Sequence, residues 1–304
     1  QNSVELPRYV RVNTIKTTLD DAIEHFNGLG YELMDCPNDI TRLSSDDKVF
    51  WKDSDLNYLL VFPCGTDLHD DKWVGEGKLM LQDKASCLSA IVLLEDCVPA
   101  SNLDDSSPFQ FCNVIDACAA PGNKTTHAAA LMHQHEHSHQ LIAVDKDNKR
   151  VLLLKNFTEK AGANVNVLHQ SFLDIDSTDD SLKPITHLMV DPSCSGSGIV
   201  SRLDSLLNTS GFTSARKEKL AKFQKQILLH ALSFKDAKRV VYSTCSLFEE
   251  ENEQVVEAVL DIVGDEWELH KVLPNWKHRG LTKYKVGDYC IRASPADDLT
   301  NGFF

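Results

Sequence analysis

The stretch Val114-Ile115-Asp116-Ala117-Cys118-Ala119-Ala120-Pro121-Gly122-Asn123-Lys124-Thr125-Thr126 decides how this chain is read. An apolar run ends in an acid, small residues lead to a glycine, and a helical pattern opens at Thr125. A turn of this kind between a strand and a helix lets backbone approach a ligand closely, and the helix start offers it unsatisfied N–H groups. The turn is neither G-x-G-x-x-G nor a Walker loop. Gly122-Asn123-Lys124-Thr125 lacks the earlier glycine of a phosphate loop, which disfavours ATP. Asp145, roughly 20 residues past Gly122, stands where carboxylates of such folds accept from ribose hydroxyls, which implies a nucleoside cofactor. Asp174, just past the next apolar run, is either an acceptor for an adenine amino group or a solvated loop acid.

Outward from this turn, apolar runs alternate with helical patterns. Strands are expected over 111–116, 141–145, 165–169, 186–191 and 239–243, and helices over 125–132, 148–161, 215–234 and 250–263. The alternation predicts an α/β fold built on a doubly wound, mostly parallel sheet. Upstream, a helix is expected over 81–94, with Cys87, Leu88, Ile91 and Leu94 facing the sheet. The first 75 residues read as a small α+β unit resembling an RNA-recognition sheet, with strands over 9–12, 31–34 and 58–62 and a helix over 18–26. No aromatic stacking signature accompanies it, so RNA binding and simple shaping of a cleft remain equal readings. The domains are accordingly set at 1–75 and 76–304.

Composition narrows the function classes. The chain has 304 residues, 42% hydrophobic and 25% charged, as in an ordinary globular protein. No apolar stretch reaches the length of a membrane span, and Gln1 opens no signal peptide, which reads as a segment of a longer chain. Nine cysteines without a C-x-x-C pair point to thiols in a reducing compartment. The net charge of −14 argues against a bulk nucleic-acid binder. The alternating histidines of His133-Gln134-His135-Glu136-His137-Ser138-His139 lack the helical spacing of a ligand pair, and no metal is expected.

Two cysteines follow apolar runs directly, in Val190-Asp191-Pro192-Ser193-Cys194-Ser195-Gly196 and Tyr242-Ser243-Thr244-Cys245-Ser246. In a doubly wound sheet the ligand crevice opens at the carboxyl ends of strands where strand order reverses. If the strands ending at Asp116 and Asp191 are neighbours there, with the next strand beside them, Cys194 and Cys245 share one crevice with the cofactor turn. A buried cysteine is ordinarily a small hydrophobe. Two at adjacent strand ends, with Lys124 nearby to favour a thiolate, point to nucleophilic chemistry.

These residues resemble the Nop/Sun family of RNA 5-methylcytosine methyltransferases. Further stretches carry the likeness, Arg8-Tyr9-Val10-Arg11-Val12-Asn13-Thr14 and Leu81-Gln82-Asp83-Lys84-Ala85-Ser86, which precede the cofactor turn and the two cysteine loops in the family's order. The resemblance implies S-adenosyl-L-methionine, held by Cys118, Ala119, Ala120, Pro121, Gly122, Asn123, Lys124, Asp145, Arg150, Asp174 and Asp191. It implies Cys245 as nucleophile at cytosine C6, Cys194 as the thiol that helps release product, and Asp191 and Lys124 as their catalytic neighbours. It further implies RNA, ribosomal RNA or a ribosomal particle, as partner, and action in the nucleus, in the nucleolus; a monomer is favoured. The chain departs from the family where Ser193 separates Pro192 from Cys194, and where Asn123 replaces a common glycine. The competing readings are a ribosome-assembly scaffold that keeps the fold as a vestige, and a methyltransferase for DNA or a small molecule.

Overall fold

A computed structural model describes residues 5–37, 39–97, 112–133, 139–179, 184–200 and 213–304. The first unit contains β1 (Arg8–Val12), α1 (Leu19–Gly28), β2 (Glu32–Leu33), β3 (Val49–Lys52), β4 (Leu59–Phe62), α2 (Lys72–Gly75) and β5 (Leu79–Leu81). Its sheet runs β2-β3-β4-β1-β5, with β1 between β4 and β5 and antiparallel to both. Thr18 starts α1 with a capping box, its hydroxyl accepting from Asp21 N at 3.1 Å while Asp21 accepts from Thr18 N at 3.3 Å. Phe26 then packs on Phe50 and Phe62 in the core of the unit.

Three expectations change here. The strand expected over 31–34 shortens to β2, and β3 was not anticipated from sequence. The helix expected from Leu81 begins at Lys84, because Leu79-Met80-Leu81 extends along β1 and Asp83 takes the extended N-cap position. Because β5 pairs with β1, the first sheet reaches beyond residue 75.

The second unit comprises α3 (Lys84–Leu94), β6 (Asn113–Asp116), α4 (Asn123–His133), β7 (Gln140–Asp145), α5 (Asn148–Ala161), β8 (Asn166–His169), β9 (His187–Val190), α6 (Ser214–Leu232), β10 (Arg239–Tyr242), α7 (Glu253–Val263) and α8 (Pro295–Asp298). All five strands are parallel, in the order β10-β9-β6-β7-β8. The chain leaves β6 toward β7 and β8, then returns to β9 on its other side, so the order reverses between β6 and β9. Neighbouring residues serve opposite faces. Ile115, Ile142 and Leu188 pack under α6 with Ile227, Ala231 and Phe234, while Val114, Leu141 and Met189 pack under α3 and α4 with Leu93, Ala128 and Met132. A sheet covered on both faces explains why its strands read as continuous apolar runs. Before α7, the acidic run forms a tight turn at Glu249–Glu251, so this helix starts later than its sequence pattern suggests.

The two units are joined by buried polar contacts. Arg11, fully enclosed, donates to Gln82 Oε1 at 2.7 Å and to Thr126 Oγ1 at 3.0 Å. Asn13 Nδ2 donates to Gly77 O and to Ala161 O, at 2.7 and 2.8 Å. Among the described residues no helix is long and apolar enough to cross a membrane. Phe111 and residues 134–138 of the histidine run lie outside the described residues.

Candidate active site

The cofactor turn lies over the reversal point. Its backbone is tied to the strands on either side of β6, Ala117 N donating to Met189 O (2.9 Å) and Ala119 N to Val144 O (3.0 Å). Gly122 adopts a φ of 117°, and a Cβ there would meet Leu154 Cδ1 at 3.0 Å, so both conformation and space require glycine. Arg150 donates to Ala120 O at 2.5 Å and lies 3.3 Å from Asp145 Oδ2, linking the turn to the end of β7. Cys118 is held as a thiol chiefly by burial, with the nearby acids Asp116, Asp191 and Asp145 adding to it. Pro121 is exposed at the tip of the turn, and Asp174 is exposed in the tight turn Phe172–Asp174 after β8. Asp116, Asp145 and Asp174 therefore end or follow three adjacent strands.

Lys124 rises from the first turn of α4 and meets Asp191 at the end of β9, Nζ to Oδ2 2.8 Å, with its side chain only 16% exposed. Burial lowers the ammonium's pKa, but Asp191 and then Cys245 outweigh it and the net shift is upward. The other oxygen of Asp191 accepts from Ser243 Oγ at 2.9 Å, and Ser243 accepts from Ser89 Oγ at 3.1 Å. Asp116 lies deeper, its carboxyl pushed up to about 7, first by burial and further by Asp191; Thr125 Oγ1 opposes this by donating to it at 2.6 Å.

Cys194 Sγ and Cys245 Sγ stand 3.1 Å apart, both partly exposed. The hydrogen bond to Cys245 raises the pKa of Cys194, and burial and the surrounding negative charge raise it further. Cys194 therefore keeps its proton beside the Cys245 sulfur, which also acts on the Lys124 ammonium. A sulfur with a cation and a thiol donor beside it is suited to carry charge and attack an electrophilic carbon. The neighbouring thiol is suited to exchange a proton.

A buried polar clamp sets this spacing. Glu251 accepts from Ser195 N (2.9 Å) in one cysteine loop, from Ser246 Oγ (3.0 Å) in the other, and from Gln224 Nε2 (2.9 Å) on α6. Asn252 Nδ2 donates to Ser246 O at 2.8 Å, and Gly198 N donates to Cys245 O at 2.9 Å. Thr244 and Phe304 exchange backbone hydrogen bonds at 3.0 and 2.9 Å, which fixes the far side of the Cys245 loop.

Four residues singled out from sequence, Lys124, Asp191, Cys194 and Cys245, thus converge, and Asp145 and Arg150 join the cofactor turn. Sequence reasoning missed Asp116, Ser243, Gln224 and Glu251 as parts of the site. Glu251 sits in the run Glu249-Glu250-Glu251-Asn252-Glu253, which resembles a solvated charge run although Glu251 and Glu253 are buried.

Comparison with known proteins places this geometry. A family model described as 16S rRNA methyltransferase RsmB/F matches residues 107–304, and one described as the ferredoxin-like domain of NOL1/NOP2/Sun domain family member 5 matches residues 6–82. The chain is 40% identical to a 28S rRNA (cytosine-C(5))-methyltransferase of Mus musculus, over 99% of this chain and 62% of the relative. It is 41% identical to the 25S rRNA (cytosine-C(5))-methyltransferase rcm1 of Schizosaccharomyces pombe, over 100% of this chain and 63% of that relative. It thus spans under two thirds of the length of both. Among solved structures, a methyltransferase homolog from Pyrococcus horikoshii shares the fold with a TM-score of 0.70 at 23% identity, over 98% of this chain and 85% of the other. NSun6 from Pyrococcus horikoshii, solved with SFG, does so with a TM-score of 0.69 at 20% identity, over 99% and 89%. The parallel sheet, the cofactor turn and the paired cysteine loops, together with a family match over most of the chain, establish that it belongs to the RsmB/F methyltransferase family.

Proposed function

We propose that this chain is the catalytic part of an S-adenosyl-L-methionine-dependent methyltransferase that modifies carbon 5 of cytosine in ribosomal RNA. The observation that carries this reading is the pair of thiols 3.1 Å apart beside the Lys124–Asp191 ion pair, at the reversal point of the sheet. Carbon 5 of cytosine is a poor nucleophile until a sulfur adds at C6, and such chemistry needs one thiolate to attack and a second group to handle protons at release.

The residues around the turn fit the cofactor. Asp145 is an acceptor at the end of β7, the turn presents small residues, and Asn123 Oδ1 is buried with no hydrogen-bond partner among the described residues. Cys118 to Lys124, Asp145, Arg150, Asp174 and Asp191 are the residues we assign to holding it. Bound there, S-adenosyl-L-methionine supplies an electrophilic methyl group.

Cys245 forms the bond to C6, with Lys124 offsetting the charge of its thiolate. Asp191 already receives an ammonium and a hydroxyl, so it presents acceptors, and at the N3/N4 edge of the base it accepts from the N4 amino group. In the release step the C6–S bond breaks as Cys194 passes its proton to the departing Cys245 sulfur and takes the C5 proton in its place, which leaves both cysteines as thiols. The target base must leave its stack to reach this crevice, which suits single-stranded or locally opened RNA.

RNA docking relies on segments outside this chain or on the assembled ribosomal particle, since a net charge of −14 supplies little phosphate affinity. We assign the protein to the nucleolus and to action as a monomer on a ribosomal particle. The test is transfer of labelled methyl from S-adenosyl-L-methionine to ribosomal RNA and to DNA. Label recovered as 5-methylcytosine from RNA alone, and lost with Cys245→Ala, is expected; label on DNA, or transfer that survives Cys245→Ala, contradicts the proposal.

A further inference from the structure

The end of the parallel sheet opposite the active site holds a second group of chemistry-bearing side chains. Cys97 closes the turn after α3, Cys112 immediately precedes β6, and His187 is the first residue of β9. Each contributes one ligand atom, and these atoms lie within 4.8 Å of one another. Cys97 Sγ is 3.3 Å from His187 Nε2. Asp96 adds an oxygen, Oδ1 standing 3.3 Å from His187 Nε2 and 3.7 Å from Cys97 Sγ.

We propose that Cys97, Cys112 and His187 bind a zinc ion, with Asp96 beside the open fourth position. Zinc bond lengths of about 2.0–2.3 Å in a tetrahedron place ligand atoms about 3.3–3.8 Å apart along its edges. The three separations around Asp96, Cys97 and His187, 3.3, 3.3 and 3.7 Å, fall in that range. Two sulfurs and an imidazole select a borderline-soft ion over magnesium or calcium.

The surroundings support the ligand set. His187 Nδ1 lies 2.8 Å from Thr186 Oγ1, and that hydroxyl has Asn113 O within 3.4 Å to receive its own hydrogen. The Thr186 oxygen then accepts from Nδ1–H, which leaves the Nε2 lone pair directed at the cluster; this is how outer groups fix a metal-binding histidine. Two thiolates and one carboxylate exceed the charge of Zn²⁺ by one, and Arg239 Nε, 3.4 Å from Asp96, offsets the remainder. Cys97, Cys112 and His187 are at most 2% exposed, whereas the Asp96 side chain is 33% exposed and gives an ion a path inward. The ligands come from three elements, so the ion would brace α3 against the amino ends of the two strands that flank the reversal point. This inference does not depend on the proposed methylation reaction.

The test is elemental analysis of the purified chain after dialysis against metal-free buffer, together with cobalt(II) added to chelator-stripped wild-type protein. Equimolar zinc is expected in the wild type and in Cys194→Ser/Cys245→Ser, with its loss in Cys97→Ser/Cys112→Ser. Cobalt(II) should give the visible bands of tetrahedral thiolate coordination in the wild type, a readout that does not rely on any variant folding. Wild-type protein that retains no zinc and stays colourless with cobalt overturns the proposal, as does zinc that follows Cys194 and Cys245 instead. A Cys97–Cys112 disulfide in metal-free wild-type protein overturns it as well.

Discussion

The two ends of the parallel sheet each gather two cysteines, and their surroundings separate them. At the carboxyl ends, Cys194 and Cys245 are partly exposed, 3.1 Å apart, and flanked by the Lys124 ammonium and the Asp191 carboxylate. At the amino ends, Cys97 and Cys112 are fully buried beside an imidazole and a carboxylate. Cysteine reactivity follows thiolate character and access. Access and a fixed cation equip the first pair for attack on a substrate. Enclosure and convergent ligand atoms equip the second for holding an ion.

The sharpest way to break this contrast is to remove what fixes the reactive pair. Glu251→Ala leaves the Ser195 amide, the Ser246 hydroxyl and the Gln224 amide without their shared acceptor. Each buried donor left unsatisfied costs about 1–3 kcal/mol, so a loss on the order of 3 kcal/mol or more is expected from urea unfolding, together with loss of methyl transfer. A stability within about 0.5 kcal/mol of wild type, the range of an ordinary surface substitution, would show that the clamp does not set the spacing.

Next in size is the electrostatic half of the comparison. Lys124→Met removes the cation that favours a thiolate at Cys245, so the pH at which that thiol becomes reactive should rise by about 1 unit or more. Iodoacetamide alkylation of Cys245 followed against pH measures it, in Cys194→Ser background. An unchanged profile would remove Lys124 from the account.

A separate effect distinguishes the two ends of β6 itself. Asp116 has a folded pKa of about 7 against an ordinary 3.8, so the folded state binds the extra proton between these values. Stability from this group is present at low pH and is lost as pH rises through about 7, the sign expected when an acid's folded pKa is raised. Asp116→Asn should flatten that decline in thermal melts across the window, and a decline unchanged by the substitution argues against it. Smallest is Asp96→Asn, which removes the carboxylate beside the three zinc ligands and should weaken zinc affinity on the order of 10-fold, read by competition with a chelating dye. Unaltered affinity would remove Asp96 from the account of the site.

The sheet was legible because its strands are apolar on both faces, and the alternation of such runs with helical patterns has few other solutions. The meeting of Cys194 and Cys245 was legible because each follows a strand, where side chains reach the crevice. The first unit was less so: β2 spans only Glu32–Leu33, and β5 is three residues that look like the start of the following helix. Glu251 and Glu253 were hidden within an acidic run, since burial of a single member is decided by contacts with distant residues such as Gln224 and Arg292. The second cysteine cluster was invisible for a related reason. Cys97, Cys112 and His187 have no ligand spacing along the chain, and only the parallel register of β6 and β9 brings two of them side by side.

The division of labour between Cys194 and Cys245 is tested most directly by incubating each alanine variant with ribosomal RNA and S-adenosyl-L-methionine, then resolving the products on a denaturing gel. Cys194→Ala should accumulate protein covalently attached to RNA, because the attacking sulfur remains and its release partner is gone, and Cys245→Ala should form no adduct. An adduct with Cys245→Ala and none with Cys194→Ala would contradict the assignment.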